Sequence, residues 1–176
     1  MDKRYSTNIA RRYIAGICSI GTCGALDLSL AIAEVVVATA VTDGETAWPA
    51  TDPQGPSTRS GLVRTNLHIA RTREEKRKLR ESGAIIVDME AAEVARAAKE
   101  LDVPFYCVRA VSDLANETFN LDFEKFLMPD GRFNVPSLVM SAMSNPLKGF
   151  AELLRLQRRT SEAALRLGNY LVNCKF

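Results

Sequence analysis

Histidine and long apolar runs are nearly absent from this chain of 176 residues. His68 is the only histidine, so a His-rich metal site is excluded and a hydrolytic triad would have to use this one side chain. No apolar stretch reaches the roughly 18 residues needed to span a bilayer. The N-terminal segment also lacks the apolar core of a signal peptide. We therefore expect a cytoplasmic protein with no membrane partner.

An excess of charge of one sign is missing too, since the formal net charge is +2. The densest basic segment, residues 71–80, contains Glu74 and Glu75 and has no aromatic residue. This pattern favours a solvated helix face over a nucleic-acid contact. The sequence therefore predicts no nucleic-acid partner.

Cysteine is sparse, and its four copies show no zinc-like pairing. They lie mostly in apolar runs, which is typical of reduced cytosolic thiols. The length, with 47% hydrophobic and 25% charged residues, fits one globular domain that can bury a substantial core. We predict a single domain over residues 1–176.

Apolar runs alternate with helical patterns along the chain. This alternation indicates an α/β fold with a mainly parallel or mixed central sheet flanked by helices. The residues between 42 and 60 are rich in proline, glycine and small polar residues, and they predict one long loop. Strands are predicted at residues 13–20, 34–41, 62–70, 84–87 and 105–111, and helices at residues 73–82, 90–101 and 147–171, with a helix end at residues 6–13 and helix breaks at residues 129–131 and 145–146.

Polar or glycine residues follow three of the predicted strands. They are a glycine-bearing turn at residues 21–24, the acids at residues 88–90, and the Ser112-Asp113 pair. In open α/β sheets, ligands bind beyond the carboxyl ends of the strands. The sequence therefore predicts a binding site where these three segments meet.

Two carboxylates in these segments each allow two interpretations. Glu90 could stabilise the start of a helix through the helix dipole, or its two oxygens could accept hydrogen bonds from the paired hydroxyls of a sugar. Asp113 follows an apolar strand, where burial would favour its protonated form and suit it to proton transfer. It could equally be a turn cap, together with Ser112 and Asn116.

Two longer segments carry a family resemblance. "AIIVDMEAAEVARAA", followed by "VPFYCVRAVSDLANE", resembles the superfamily of nucleoside phosphorylases and nucleosidases, which includes purine nucleoside phosphorylase and methylthioadenosine/S-adenosylhomocysteine nucleosidase. "SIGTCGALDLSL" and "VVVATAV" are similar to the glycine turn and following strand of the same family. The resemblance runs from about Ile14 to Phe126 and implies a three-layer α/β/α fold.

The resemblance implies cleavage of the N-glycosidic bond of a purine nucleoside, by phosphate or by water, with no cofactor and no metal. Asp113 would be the catalytic residue that gives a proton to the base, and Ser112 would orient it. Glu90 would bind the ribose hydroxyls, and Met89 would pack against the sugar. Methylthioadenosine-type and simple purine nucleosides are the leading substrates.

The remaining implied roles concern the co-substrate and the base. Backbone N–H groups of Thr22, Cys23 and Gly24 would bind phosphate or water, and Ile69 would lie in the base-stacking segment. His68 could touch the ligand or be a packing or surface residue. Trp48 could reach the ribose 5′ substituent or be an incidental surface aromatic. A homo-oligomer is also implied.

The sequence departs from the family pattern at two places. Family members have a glycine-containing strand and helix ahead of the strand at Ile14, and residues 1–13 show no such strand. Residues 31–34 stand where the family tends to have a Gly-Asp turn. We therefore expect a phosphorylase-like domain without the first strand and helix. A non-catalytic nucleoside-binding remnant is the alternative, and a generic mononucleotide-binding domain is disfavoured because no G-x-G-x-x-G motif is present.

Overall fold

The strands and helices are given by a computed structural model that describes residues 14–120, 123–126, 134 and 151–176. The strands are β1 (Ile17–Ala25), β2 (Val35–Thr42), β3 (Ala47–Pro49), β4 (Arg59–Thr65), β5 (Ile86–Asp88) and β6 (Phe105–Asp113). The helices are α1 (Arg73–Arg80), α2 (Ala91–Leu101) and α3 (Ala151–Leu171), with a short 3-10 helix at Phe123–Phe126.

Five of the strands close into a barrel. Their order is β2-β4-β5-β1-β6, and β6 pairs again with β2. The β2–β4, β4–β5 and β1–β6 pairs are parallel, whereas β1–β5 and β2–β6 are antiparallel. The predicted α/β class with a mixed central sheet is therefore confirmed. Closure pairs strand edges that would otherwise be open to other chains.

Strand β2 makes the closure possible by dividing one of its edges between two partners. Residues 35–37 pair with β6, and residues 40–42 pair with β3. The other edge of β2 pairs with β4 along residues 36–42. Strand β6 is thus held between β1 and β2, which fixes the backbone that leads to its carboxyl end.

The helix ends follow local capping chemistry. In α1, the Thr72 side chain accepts the N–H of Glu75, and the Glu75 carboxylate accepts the N–H of Thr72, which makes a capping box. After α1, Gly83 has φ of 85°, a conformation that glycine adopts readily. Among the described helices, none is both long and apolar enough to cross a membrane.

Two helices cover different parts of the barrel wall. The alanine face of α2 is buried against the strands, and these small side chains allow the helix backbone to approach closely. On α3, Ala163 and Leu167 pack in a separate cluster with Val37, Val108 and Ala110. Valine and isoleucine side chains of the strands thus pack against both helices.

The boundaries differ from the sequence prediction in two informative places. Strand β1 continues to Ala25, so residues 21–24 lie inside a strand and the predicted glycine turn is wrong. Residues 42–60 contain β3 and the start of β4, so the prediction of one long loop is also wrong. Trp48 belongs to β3 and is buried in the main core cluster, which is neither of the two roles considered for it. Tertiary pairing overrode the local turn composition in both segments.

Residues 31–34, where the sequence departs from the family pattern, contain a strained position. Ala33 has φ of 62°, in the left-handed region that glycine occupies without steric cost. The predicted helix end at residues 6–13 and the predicted breaks at residues 129–131 and 145–146 lie outside the described residues.

Candidate active site

A cavity of about 540 Å³ opens where β1, β5 and β6 end. This volume lies within the range of about 300–1,000 Å³ that is usual for small-molecule sites. All the site residues predicted from the sequence line it: Thr22, Cys23, Gly24, Ile69, Met89, Glu90, Ser112 and Asp113. The structure therefore brings the three polar strand ends and the predicted base-stacking segment to one place.

Gly24 allows β1 and Asp113 to lie close together. A Cβ atom at this position would be 2.9 Å from Asp113 Oδ2 and 3.2 Å from Val87 Cγ1. Real Cβ atoms do not approach a neighbour as closely as the first distance, so a side chain here would displace the carboxylate. The β1–β6 register shifts between Cys23 and Gly24, and after this bulge Gly24 is paired with Asp113.

Cys23 contributes a neutral thiol to the cavity. Burial raises the pKa of the Cys23 thiol well above its ordinary value, and the nearby Asp113 charge raises it further. The thiolate is the nucleophilic form of cysteine, so this side chain is unsuited to nucleophilic attack. Its backbone serves the site more directly, because the Ser112 hydroxyl lies 3.1 Å from the Cys23 carbonyl oxygen.

Asp113 is held by two side chains and retains room for a ligand. Lys76 Nζ donates to Asp113 Oδ2 at 2.5 Å, and Ser112 Oγ lies 2.9 Å from Asp113 Oδ1. The Lys76 side chain is 1% exposed and that of Asp113 is 12% exposed. A carboxylate has about four acceptor positions, so these two contacts leave capacity that faces the cavity. Burial is the only influence on Asp113 that the sequence indicates, and the structure adds Lys76 as a charge partner.

Asp88, the other acid of the β5 end, has a different environment. Its Oδ1 accepts from the Thr65 hydroxyl at 2.7 Å, and its Oδ2 accepts from the Ala91 N–H at 3.0 Å. Arg109 adds Nη2 at 2.6 Å and Nε at 3.1 Å to the same Oδ2. The Arg109 guanidinium also donates to Ser19 Oγ at 2.7 Å. Asp88 thus caps α2 and ties β4, β5 and β6 together.

Glu90 is left available because Asp88 performs the capping. Glu90 is the N-cap residue of α2 by position, yet its side chain makes no capping hydrogen bond. It is exposed at the cavity rim beside Met89, whose exposed fraction is 37%. Glu90 lies at the start of α2 without a capping bond, so its helix-dipole role and its sugar-binding role both stay predictions. An uncommitted carboxylate and an apolar side chain lie together at this rim.

The far wall of the cavity comes from α3 and the segment after β6. Leu156 and Thr160 of α3 line it together with Phe119 and His68. The Glu117 carboxylate anchors α3, since Arg159 Nη1 lies 2.6 Å from Glu117 Oε1. Burial raises the pKa of Glu117, but the bonds from Arg159 and from the Leu114 N–H outweigh it and hold that pKa below its ordinary value.

Lys76 is the site residue that the sequence analysis missed, because the basic segment at residues 71–80 was interpreted as a solvated face. One signal could have found it. Leu79 is the only apolar residue of α1 and lies three residues after Lys76, hence on the same side of the helix. Arg109 and Phe119 were also missed. Within the described residues, no cluster of three or more His, Cys, Asp or Glu side chains could hold a metal ion.

The fold and the site define a class: an α/β protein with a strand-end cavity flanked by carboxylates from two neighbouring motifs. Residues 56–130 match the family model of the phosphorylase superfamily. That segment contains the Met89-Glu90 and Ser112-Asp113 pairs, the two halves of the resemblance seen in the sequence. Over these residues the chain is similar to the phosphorylase superfamily.

Individual relatives give a narrower comparison. The chain is 46% identical over 41 residues to a 5′-methylthioadenosine/S-adenosylhomocysteine nucleosidase of Listeria welshimeri, a match that covers 23% of this chain and 18% of the relative. It is 38% identical over 69 residues to the nucleosidase of the same name from Staphylococcus aureus, covering 38% of this chain and 30% of the relative. The matches thus span less than a third of these curated relatives.

A solved structure extends the comparison of the fold. The S-adenosylhomocysteine nucleosidase of Streptococcus pyogenes, in complex with 5-methylthiotubericidin, superposes with a TM-score of 0.55 at 24% identity. The match covers 69% of this chain and 65% of that one. At this identity the similarity supports the shared fold, and the chemistry has to be argued from the cavity.

Proposed function

We propose that this protein cleaves the N-glycosidic bond of a purine nucleoside, with methylthioadenosine-type nucleosides as the leading substrates and water as the leading nucleophile. One observation carries the proposal: the open carboxylate of Asp113 and the uncommitted carboxylate of Glu90 face the same cavity. The names of the two curated relatives described above, both nucleosidases, favour water over phosphate.

Asp113 acts on the base in this mechanism. When the bond between the sugar and N9 breaks, its electron pair moves onto the purine, which is a poor leaving group as an anion. A proton passed from the Asp113 carboxyl to N7 neutralises that charge, and general acid catalysis of this kind contributes about 10²–10⁴-fold. Ser112 orients Asp113 through the 2.9 Å contact between Ser112 Oγ and Asp113 Oδ1.

Glu90 and Met89 act on the sugar. The Glu90 carboxylate accepts hydrogen bonds from the two ribose hydroxyls, and the Met89 side chain packs against the ring. Both side chains are exposed at the rim and need no rearrangement of α2 to reach a ligand. As the base leaves, the sugar gains oxocarbenium character, which a nearby carboxylate stabilises electrostatically.

The end of β1 positions the nucleophile. Backbone groups of Thr22, Cys23 and Gly24 line the cavity between the two carboxylate motifs, where water or phosphate can approach the sugar. Ile69 on the neighbouring wall packs against the purine. A homo-oligomer remains a prediction of the resemblance, and size-exclusion chromatography with light scattering would test it.

The test is release of free base from methylthioadenosine and from inosine by the purified chain, with and without phosphate. We expect phosphate-independent release of adenine from methylthioadenosine. Release that requires phosphate would replace the hydrolytic proposal with phosphorolysis. Absence of release from both nucleosides under both conditions would refute the proposed function.

A further inference from the structure

A lysine of helix α1 is buried behind the proposed proton donor. Lys76 is the one buried residue that α1 contributes to the described structure, and its relative exposure is 1%. Its Nζ lies 2.5 Å from Asp113 Oδ2, 2.6 Å from the Leu114 carbonyl oxygen and 5.3 Å from the centroid of the Phe119 ring. The ammonium group thus has two oxygen acceptors and an aromatic face around it.

Helix α1 does not depend on Lys76 for its position. The capping box fixes its first turn, and Leu79 packs in an apolar cluster. Arg80 binds Asp27 at 2.8 Å, and the Arg71 carbonyl accepts the Phe119 N–H at 2.8 Å. An apolar side chain at position 76 would fill the same space without the cost of burying a charge. The position of the ammonium group is therefore explained by Asp113 rather than by the packing of α1.

Several other groups surround Asp113 and could affect its charge. Ser112 on the same strand contacts Oδ1, and the neutral Cys23 thiol lies on β1. The cavity is also lined by His68, Glu90 and the bonded pair of Asp88 and Arg109. Within the described residues, the cation that contacts the Asp113 carboxylate is Lys76. At 2.5 Å the two form an ion pair with little solvent between the charges.

We propose that Lys76 is a positioning residue that makes Asp113 a stronger acid in the cleavage step, an inference that rests on the proposed function. As the proton leaves the Asp113 carboxyl for N7, a carboxylate forms, and the ammonium group 2.5 Å away stabilises it. Removal of this ammonium group should therefore change both the rate and its dependence on pH. The sign follows because a neighbouring positive charge favours the ionised carboxyl.

The kinetic test compares wild type with Lys76→Met and Lys76→Gln. Both variants remove the charge, and only Gln keeps an N–H donor. We expect the alkaline limb of the kcat/KM profile to move up by about 1–3 pH units in both variants. On the plateau, kcat should fall by about 10–100-fold while KM changes by less than about threefold. Lys76→Arg should restore the position of the limb. Lys78→Met, an exposed lysine of the same helix, is the matched control and should leave the profile unchanged.

A second measurement needs no turnover. Carbon-13 NMR of labelled aspartate carboxyls, with the Asp113 signal assigned by Asp113→Asn, reports the protonation midpoint directly. We expect this midpoint to rise in Lys76→Met or, if that variant does not fold, in Lys76→Gln. An unchanged midpoint and an unmoved limb would overturn the proposal, as would an equal loss of rate at every pH. If wild type released no base, the proposed function would fail, and the NMR midpoint alone would decide whether Lys76 sets the charge of Asp113.

Discussion

Two buried ion pairs involve the strands that flank β1, and they differ in how completely their carboxylates are bonded. The Asp88–Arg109 pair has side chains 4% and 3% exposed, and the Asp88 carboxylate also accepts from Thr65 and Ala91. The Asp113 carboxylate is contacted by Lys76 on one oxygen and by Ser112 on the other. Its remaining acceptor positions face the cavity.

The comparison separates an acid that holds the fold from an acid that can react. A carboxylate whose acceptor positions are filled by the protein has none to offer a ligand. A carboxylate with one contact on each oxygen is oriented and still has acceptor positions for a ligand. Burial is similar for the two acids, so the number of bonding partners distinguishes them. The four predictions below test this distinction.

The largest effect should follow from replacing the available acid. Asp113→Asn should lower kcat for base release by about 10²–10⁴-fold, because the amide cannot give a proton to N7. Steady-state rates on methylthioadenosine would measure it, and circular dichroism would check the fold. Asp52→Asn, at an exposed position, is the control for the chemical change itself. Wild-type rates in Asp113→Asn would mean that Asp113 is a turn cap.

Replacing the saturated acid should act on stability. Asp88→Asn leaves one carbonyl oxygen for donors from Thr65, Ala91 and Arg109, so the buried guanidinium loses its counter-charge. Loss of one partner of a buried pair typically lowers the free energy of unfolding by about 3–5 kcal/mol. Urea unfolding would measure this, with Asp52→Asn at an exposed position as the comparison, and we expect the smaller loss there. Equal losses in the two variants would remove the distinction drawn above.

Glu90 is a third acid of the site, and its described contacts include neither a cation nor a capping bond. Glu90→Gln should raise KM for ribosides by about tenfold or more, since hydrogen bonds to a charged group are lost, with little change in stability. Glu93→Gln, on the exposed side of the same helix turn, is the matched control. The assignment to the ribose would be wrong if 2′-deoxy substrates lost as much affinity as ribosides.

The smallest effect concerns the pair that anchors α3 over the cavity. The pKa of Glu117 lies below its ordinary value of 4.5, so its stabilising contribution is complete above pH 4.5 and is lost as the pH falls through the lowered value. For a partly exposed pair this contribution is about 1 kcal/mol or less. Unfolding free energies of wild type and Glu117→Gln should therefore converge in acid. A constant difference down to pH 2 would contradict this account.

Much of the fold follows from local composition. The β-branched runs place β2, β5 and β6 within a few residues, and the alanine spacing identifies the buried face of α2. The closure of β6 onto β2 could not be predicted, because it pairs residues 35–37 with residues 108–110 and no local pattern marks that partner. Long-range pairing of β1 with β5 and β6 likewise turned a predicted glycine turn into the end of β1.

The candidate site, too, could be predicted only in part from the sequence. Residues at strand ends could be predicted because topology gathers such ends at one edge of a sheet. Lys76 could not, because the charges of α1 lie on all sides of the helix and only tertiary packing decides which one is buried. Nor does the sequence tell which of Asp88 and Asp113 is saturated, since their partners Arg109, Thr65 and Lys76 come from other elements.

The register of β1 bears on how a ligand would be bound. Gly24 is the ladder partner of Val87 on one side and of Asp113 on the other, so the two motifs are separated by two strand spacings of about 4.8 Å each. This separation is set by backbone hydrogen bonds rather than by adaptable side chains. A nucleoside bound across β1 would contact two motifs whose separation is already fixed. Ordering of the protein would therefore cost little binding free energy.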